Sequence, residues 1–388
     1  NINSSFLDAI NTIFNINNTK FVNEITLDKF ISALNGNLIK VFENTNFDES
    51  VINKKDIENS MVFNTIMTDV SEEYKKYILS SYYNFKDYLM DKNVEIDYLF
   101  LWDFICKSNL NTGVFTKKGV NLIILRKPKN TIVNRIDLIC PSNIYNNKVY
   151  DETKPSIMLY SYVNPLKPSV YNYEVICKVS KTKSKKYSYD YFFNHDELSN
   201  KMLFELGLST DTCKSVNNSI KMKDTLHDIL KKIGIGAKSK YLRKFIINYN
   251  MQIIGIQFVY DKHKLYIPCL PTSLNISISP DKYVFIYDYV LRATEDFLDV
   301  YNELNERFNL GNPIIGYTTL NEKINMYITE TDNVIPVNLP EKRETTKKLK
   351  KFKYHNYNLD HEKTIINNVK SKDLENNIVK LRLEMNMY

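Results

Sequence analysis

Over residues 1–110 the apolar positions recur at helical spacing. In "SEEYKKYILSSYYNFKDYLMD", Tyr74, Ile78, Tyr82, Phe85 and Leu89 fall on one face, as an amphipathic helix requires. Asp69, followed three residues on by Glu72, offers a cap for its start. "EIDYLFLWDFICKSN" is apolar on nearly every side, which predicts a buried helix ending near Lys107. The pattern changes over 115–180. "VNLIIL", "RIDLIC", "SIMLYSY" and "YEVICKV" are short runs rich in β-branched and aromatic residues. The turn formers "TKKG", "KPKN", "PSN" and "NPLKP" separate them. This predicts a sheet of about four strands, with Cys140 and Cys177 on strands.

Helical periodicity then returns. "DELSNKMLFELG" and "KMKDTLHDILKKIG" read as helices stopped by Gly207 and Gly234. "KFIINYNMQIIGIQFVYDKHKLYIPCLPTS" reads as a hairpin turning near "DKHK". "DKYVFIYDYVLRATEDFLDVYNELNERF" reads as one long amphipathic helix, and "KINMYITETDNVIPV" as one or two strands. From 339, "PEKRETTKKLKKFKYHNYN" is too polar to build a core and predicts a linker. "SKDLENNIVKLRLEMNMY" closes as a helix with Leu374, Ile378, Leu381 and Met385 in a narrow stripe. The expected fold class is α+β. A helical region spans 1–112. An α+β domain with a central mixed or antiparallel sheet and flanking helices spans 113–338. A basic linker covers 339–363 and a terminal helix 364–388.

Composition adds limits. The chain has 388 residues, 43% of them hydrophobic, so it can bury sizeable cores. Asn, Lys, Ile and Tyr are favoured. All have A/T-rich codons, so the many aromatics can be ordinary core residues. The net charge of +7 is mild for this length and does not by itself imply nucleic acid. Cys106, Cys140, Cys177, Cys213 and Cys269 are odd in number and widely spaced, which fits buried thiols in a reducing compartment better than a disulfide framework. No signal-peptide pattern opens the chain. The absence of an initiator Met reads as a piece of a longer protein. No run of 18 apolar residues exists, so no membrane-spanning helix is expected.

Candidate chemistry is sparse. The sequence lacks CxxC, HExxH and G-x-S-x-G motifs, and its histidines stand apart, so no metal site, cofactor or nucleophile is assigned. "GIGAKSK" has the wrong spacing for a phosphate-binding loop and reads as a helix stop with a basic turn. A divalent-metal nuclease would need an acid and then Glu-x-Lys on adjacent strands; Asp137, Glu152 and Lys154 have the types and the order. Three basic clusters stand out: "KVSKTKSKK", "KKIGIGAKSKYLRK" and "KRETTKKLKKFK". The last makes Lys347, Lys348, Lys350, Lys351 and Lys353 the candidate nucleic-acid contacts, through counterion release at phosphates.

"YLFLWDFICKSN", followed by "GVNLIILRKPKNTIVNRIDLICPSNIYNNKVYDETKPSIMLYSY", resembles a family of very large proteins of nucleocytoplasmic giant DNA viruses (Mimivirus-like). "INYNMQIIGIQ" and "LYIPCLPTS" continue the resemblance in the same order, so that it covers roughly residues 98–273. The matching positions are Asp137, Cys140, Pro141, Asn143, Tyr145, Tyr150, Asp151, Pro155, Asn248, Asn250, Gly255, Pro268 and Pro271. Their physical reading is structural: Pro141 and Asn143 suit a turn leaving a strand, and Gly255 suits a bulge. A fainter similarity is to the large skeleton-type minor capsid protein of African swine fever virus, which also accompanies viral RNA polymerase. The resemblance implies no assigned reaction and carries over no catalytic residue; the expected function is a non-enzymatic scaffold or assembly role, with other viral proteins as partners, in the virion or the viral factory of the host cytoplasm. The alternatives are the nuclease and a nucleic-acid-binding module without catalysis.

Overall fold

The computed structural model describes residues 5–43, 47–68, 70–107, 115–116, 118–127, 136–141, 150–181, 187–207, 226–234, 241–248, 250–260, 263–274, 278–285, 296–330, 334–341 and 348–353. They form an α+β protein divided into two compact units. The first holds 5–60 and 72–207, and the second holds 61–71 and 226–353. This division differs from the one read from the sequence, where 113–338 stood as one domain.

The first unit opens with short helices, α1 (Ser5–Phe14), α2 (Asn18–Glu24), α3 (Leu27–Ser32), α4 (Asn37–Val41) and α5 (Lys54–Glu58), of which α2, α3 and α5 are capped by side chains. Side chains satisfy the free amides at their starts: Asn17 accepts from Lys20 N–H and Thr26 from Lys29 N–H. The long helix α6 (Glu72–Met90) buries Tyr74, Ile78, Tyr82, Phe85 and Leu89, the face its spacing predicts. In α7 (Tyr98–Cys106) every residue is buried, and Asp97 caps its start by accepting from Leu99 N–H. Phe30, Phe42, Phe100 and Phe104 gather around Phe85 and Tyr88 between these helices. Aromatic pairs of this kind add to the burial energy of the core.

The sheet of this unit has four strands in the order β2-β1-β3-β4. They are β1 (Asn121–Arg126), β2 (Asp137–Leu138), β3 (Ser156–Val163) and β4 (Tyr171–Ile176). β1 and β3 run parallel and the other pairs antiparallel, so the sheet is mixed. One face meets α1 and α7, where Phe6 packs edge-on against Tyr173 and Tyr98. The other face buries Ile123 and Met158 against Phe193, Leu198 and Leu206, the last of these on α8 (200–207). Between sheet and α8 runs a two-stranded ribbon, β5 (Lys178–Lys181) and β6 (Tyr187–Asp190). Cys140 and Cys177 lie just past the ends of β2 and β4 rather than on strands.

The second unit contains α9 (Leu226–Ile233), which stops at Gly234 with φ +74. Its first sheet follows the order β10-β7-β8-β9, with β7 (Leu242–Ile247), β8 (Gln252–Tyr260), β9 (His263–Ser273) and β10 (Tyr283–Phe285). The expected hairpin is therefore a three-strand meander. The expected long helix over 281–308 is corrected: 283–285 is a strand parallel to β7, and α10 spans only Phe297–Arg307. "YVF" is a short aromatic and β-branched run, which periodicity alone does not separate from a buried helix turn. A second sheet follows the order β13-β12-β11-β14, with β11 (Ile314–Leu320), β12 (Lys323–Thr329), β13 (Val334–Pro340) and β14 (Lys350–Lys351). Phe297 of α10 stacks on Tyr327 of β12.

The expected linker is also corrected. β13 runs into it at Pro340, and Lys350–Lys351 pair in parallel with Gly316–Tyr317 of β11. Low hydrophobicity there marks an exposed edge strand, whose ladder is made by backbone groups and needs no apolar side chain. The expected terminal helix, 364–388, lies outside the described residues, as does the capping residue Asp69.

Candidate functional site

The nuclease triplet is not assembled. Asp137 pairs with Arg126 at the last position of β1, whereas Ser156, just after Lys154, pairs with Asn121 at the first. At about 3.3 Å per residue, those two ends lie roughly 17 Å apart. Glu152 is exposed in the turn before β3. Lys154 turns inward, where Nζ donates to the Cys106 carbonyl at 3.4 Å. Among the described residues, no group of three His, Cys, Asp or Glu side chains is placed to hold a metal ion.

The turn that carries Glu152 and Lys154 is built around Asn121. Its Nδ2 donates to the carbonyls of Asp151 at 2.8 Å and Lys154 at 3.1 Å, and its Oδ1 accepts Asp151 N–H at 3.0 Å. The Asp151 carboxylate accepts the N–H and hydroxyl of Thr153 at 3.0 and 2.7 Å. Tyr150 and His195 Nδ1 share a hydrogen bond at 3.1 Å. These polar residues serve a surface turn, and Asn121 beneath it is only 7% exposed. Asn143 and Tyr145 lie outside the described residues.

The downstream motif is structural in the same way. Asn248 is buried and accepts the N–H groups of Asn250 and Gln252, each at 3.0 Å, while its Nδ2 donates to Gln252 Oε1. It thereby fixes the β7–β8 turn, in which Met251 has φ +57. Gly255 lies opposite Pro268 beside a register shift in both ladders of β8. A Cβ there would stand 2.6 Å from the Tyr266 ring, so the ring fills the space that glycine leaves open.

Among the described residues, the lysines of the cluster divide between two faces. Lys348, Lys350, Lys351 and Lys353 are exposed, and Lys347 lies outside the described residues. Lys350 and Lys351 are neighbours on a strand and so point to opposite faces. Lys351 Nζ sits 2.9 Å from both Glu341 oxygens, and this contact, with a hydrogen bond from Tyr317, holds the Glu341 carboxyl below its ordinary range. Lys350 lies over the Phe352 ring at 5.1 Å.

Sequence reading missed the β5–β6 ribbon. Val179 pairs with Tyr189 and Lys181 with Tyr187, so these four side chains share one face. Val179 is 57% exposed, Tyr187 63% and Tyr189 58%. On the other face Lys178 meets Asp190 at 2.9 Å and Glu197 at 2.7 Å, which raises the lysine pKa and lowers both carboxylates. The ribbon therefore neutralises its polar face and presents its apolar face to solvent. The signal in the sequence is the alternation of "YSYD", which follows a lysine-rich stretch.

Cys106 and Cys269 are free buried thiols, and burial pushes both well above the ordinary thiol range. Cys177 is free and partly exposed. Cys140 is disulfide-bonded, which corrects the reading of unpaired thiols; spacing along the chain does not report proximity in space. No family model, curated protein or solved structure matches the chain.

Proposed function

We propose that this chain is a non-enzymatic scaffold or assembly module of a large protein from a nucleocytoplasmic giant DNA virus. It works with other viral proteins in the virion, or alongside the transcription machinery in the viral factory of the host cytoplasm. The β5–β6 ribbon carries the reading. The exposed face of Val179, Tyr187 and Tyr189, with Lys181 at its edge, carries the tyrosines in which protein interface centres are rich. The use of Asn121, Asp151, Asn248 and Gly255 to fix turns and strands supports it as well, since these motif positions are accounted for without chemistry.

Lys181, beside Tyr187 on the same face, favours a second reading as a module for single-stranded nucleic acid, because bases stack on tyrosine while lysine meets phosphate. A photo-crosslinking residue in place of Tyr189, followed by mass spectrometry of the products from infected cells, separates the two. Crosslinks to viral structural proteins or polymerase subunits are the expected result. Crosslinks to nucleic acid alone would move the ribbon to the second reading, and crosslinks to neither would remove its support for both.

A further inference from the structure

One row of the first sheet carries two buried polar atoms, Arg126 Nε and Ser161 Oγ, with no hydrogen-bond partner among the described residues. Asp137, Arg126, Ser161 and Tyr173 stand side by side across β2, β1, β3 and β4. Directly paired residues of neighbouring strands share a face, so all four side chains leave the sheet on the same side. The Arg126 guanidinium reaches past Ser161 and donates from Nη2 to the Tyr173 hydroxyl at 3.2 Å. It lies 3.9 Å from the centre of the Tyr171 ring and 5.8 Å from that of Tyr98, and these rings fix its plane. Arg126 Nε and Ser161 Oγ are both buried without a hydrogen-bond partner among the described residues. Ser161 is fully buried, while Arg126 as a whole is partly exposed.

The guanidinium, among rings and hydroxyls, makes no ion pair among the described residues; the Asp97 carboxylate acts on Tyr98 and Tyr173 beside it without bonding it directly. Leaving such a charge unpaired is costly. Asp137, at the end of the row, has a contact of its own and makes no ion pair with Arg126. Burial holds the Tyr173 hydroxyl protonated far above its ordinary range, so it remains a donor.

We propose that Arg126, Ser161 and Tyr173 bind an oxyanion, either a carboxylate or a phosphate group, with Nε of Arg126 and the two hydroxyls as donors. The planar fork of arginine matches two oxygens of either group.

The test is a titration of the whole chain with sodium phosphate and, separately, sodium acetate, with sodium chloride at matched ionic strength as control. The Arg126 Nε resonance is followed by NMR, and the melting temperature serves as a second readout. A saturable shift of the Arg126 signal with phosphate or acetate, absent with chloride, is expected, and the responding anion identifies the ligand group. Ser161→Ala should weaken that binding roughly five-fold, the effect of one hydrogen bond. Arg126→Gln should abolish the anion-dependent rise in melting temperature. No saturable response to either anion in the unmodified chain, leaving ordered water as the occupant, overturns the proposal whether or not the variants fold. So does an unchanged rise in Arg126→Gln.

Discussion

The Asp103 carboxylate accepts the backbone N–H of Leu34 at 2.7 Å, across 69 residues of sequence. The same oxygen lies 2.9 Å from Lys107 Nζ, and Asp103 is fully buried. Leu34 begins a left-handed run with Asn35 and Gly36, at φ 47, 56 and 80. Left-handed backbone is costly for leucine, so the buried acceptor on α7 helps hold this turn between α3 and α4. Asp103→Ala removes the acceptor and breaks the buried ion pair with Lys107, for an expected loss of about 3–5 kcal/mol. Adding Lys107→Met to that variant should cost less than the two single changes summed. Urea denaturation of the three variants measures both effects.

Gly316 and Phe352 fix the edge strand that the sequence concealed. A Cβ at Gly316 would stand 2.2 Å from the Phe352 ring and 2.5 Å from the Lys350 carbonyl oxygen. Gly316→Ala should therefore push β14 off β11, at a local cost of about 1–3 kcal/mol. The Phe352 amide, which donates to the Tyr317 carbonyl at 2.8 Å, should lose its protection in hydrogen exchange while β12 keeps its own.

Sequence reading reached α6, α7 and the first sheet because each announces itself locally. The helical face of Tyr74 to Leu89 and the short β-branched runs around Leu122 and Ile157 depend only on their own periods. It missed what depends on partners far along the chain. Lys350–Lys351 became a strand because β11 offered an edge, and Tyr283–Phe285 because β7 did. The Arg126–Ser161–Tyr173 row exists only through register, which no single segment encodes. Asp137, Glu152 and Lys154 matched a nuclease in residue type and order, but their order says nothing about which end of β1 each one meets.

Buried phenols set an alkaline limit on stability. Burial is the main cause that pushes Tyr98 and Tyr327 from the ordinary 10.0 up to about 12. In the unfolded chain these groups lose their protons near pH 10, whereas in the folded chain they keep them. Their contribution is thus whole below about pH 10 and is lost as pH rises toward 12. The urea midpoint should fall as pH rises from about 10 toward 12. Absorbance at about 295 nm should show exposed tyrosines ionising first and these two ionising only with unfolding.

The central claim is that the chain performs no nucleic-acid chemistry, and a cleavage assay tests it most directly. Purified protein is incubated with duplex and single-stranded DNA across a salt series, with Mg²⁺ or Mn²⁺ present, and the products are resolved on a gel. Intact DNA at every salt concentration is the result this account predicts. Cleavage that disappears in Glu152→Ala would contradict it.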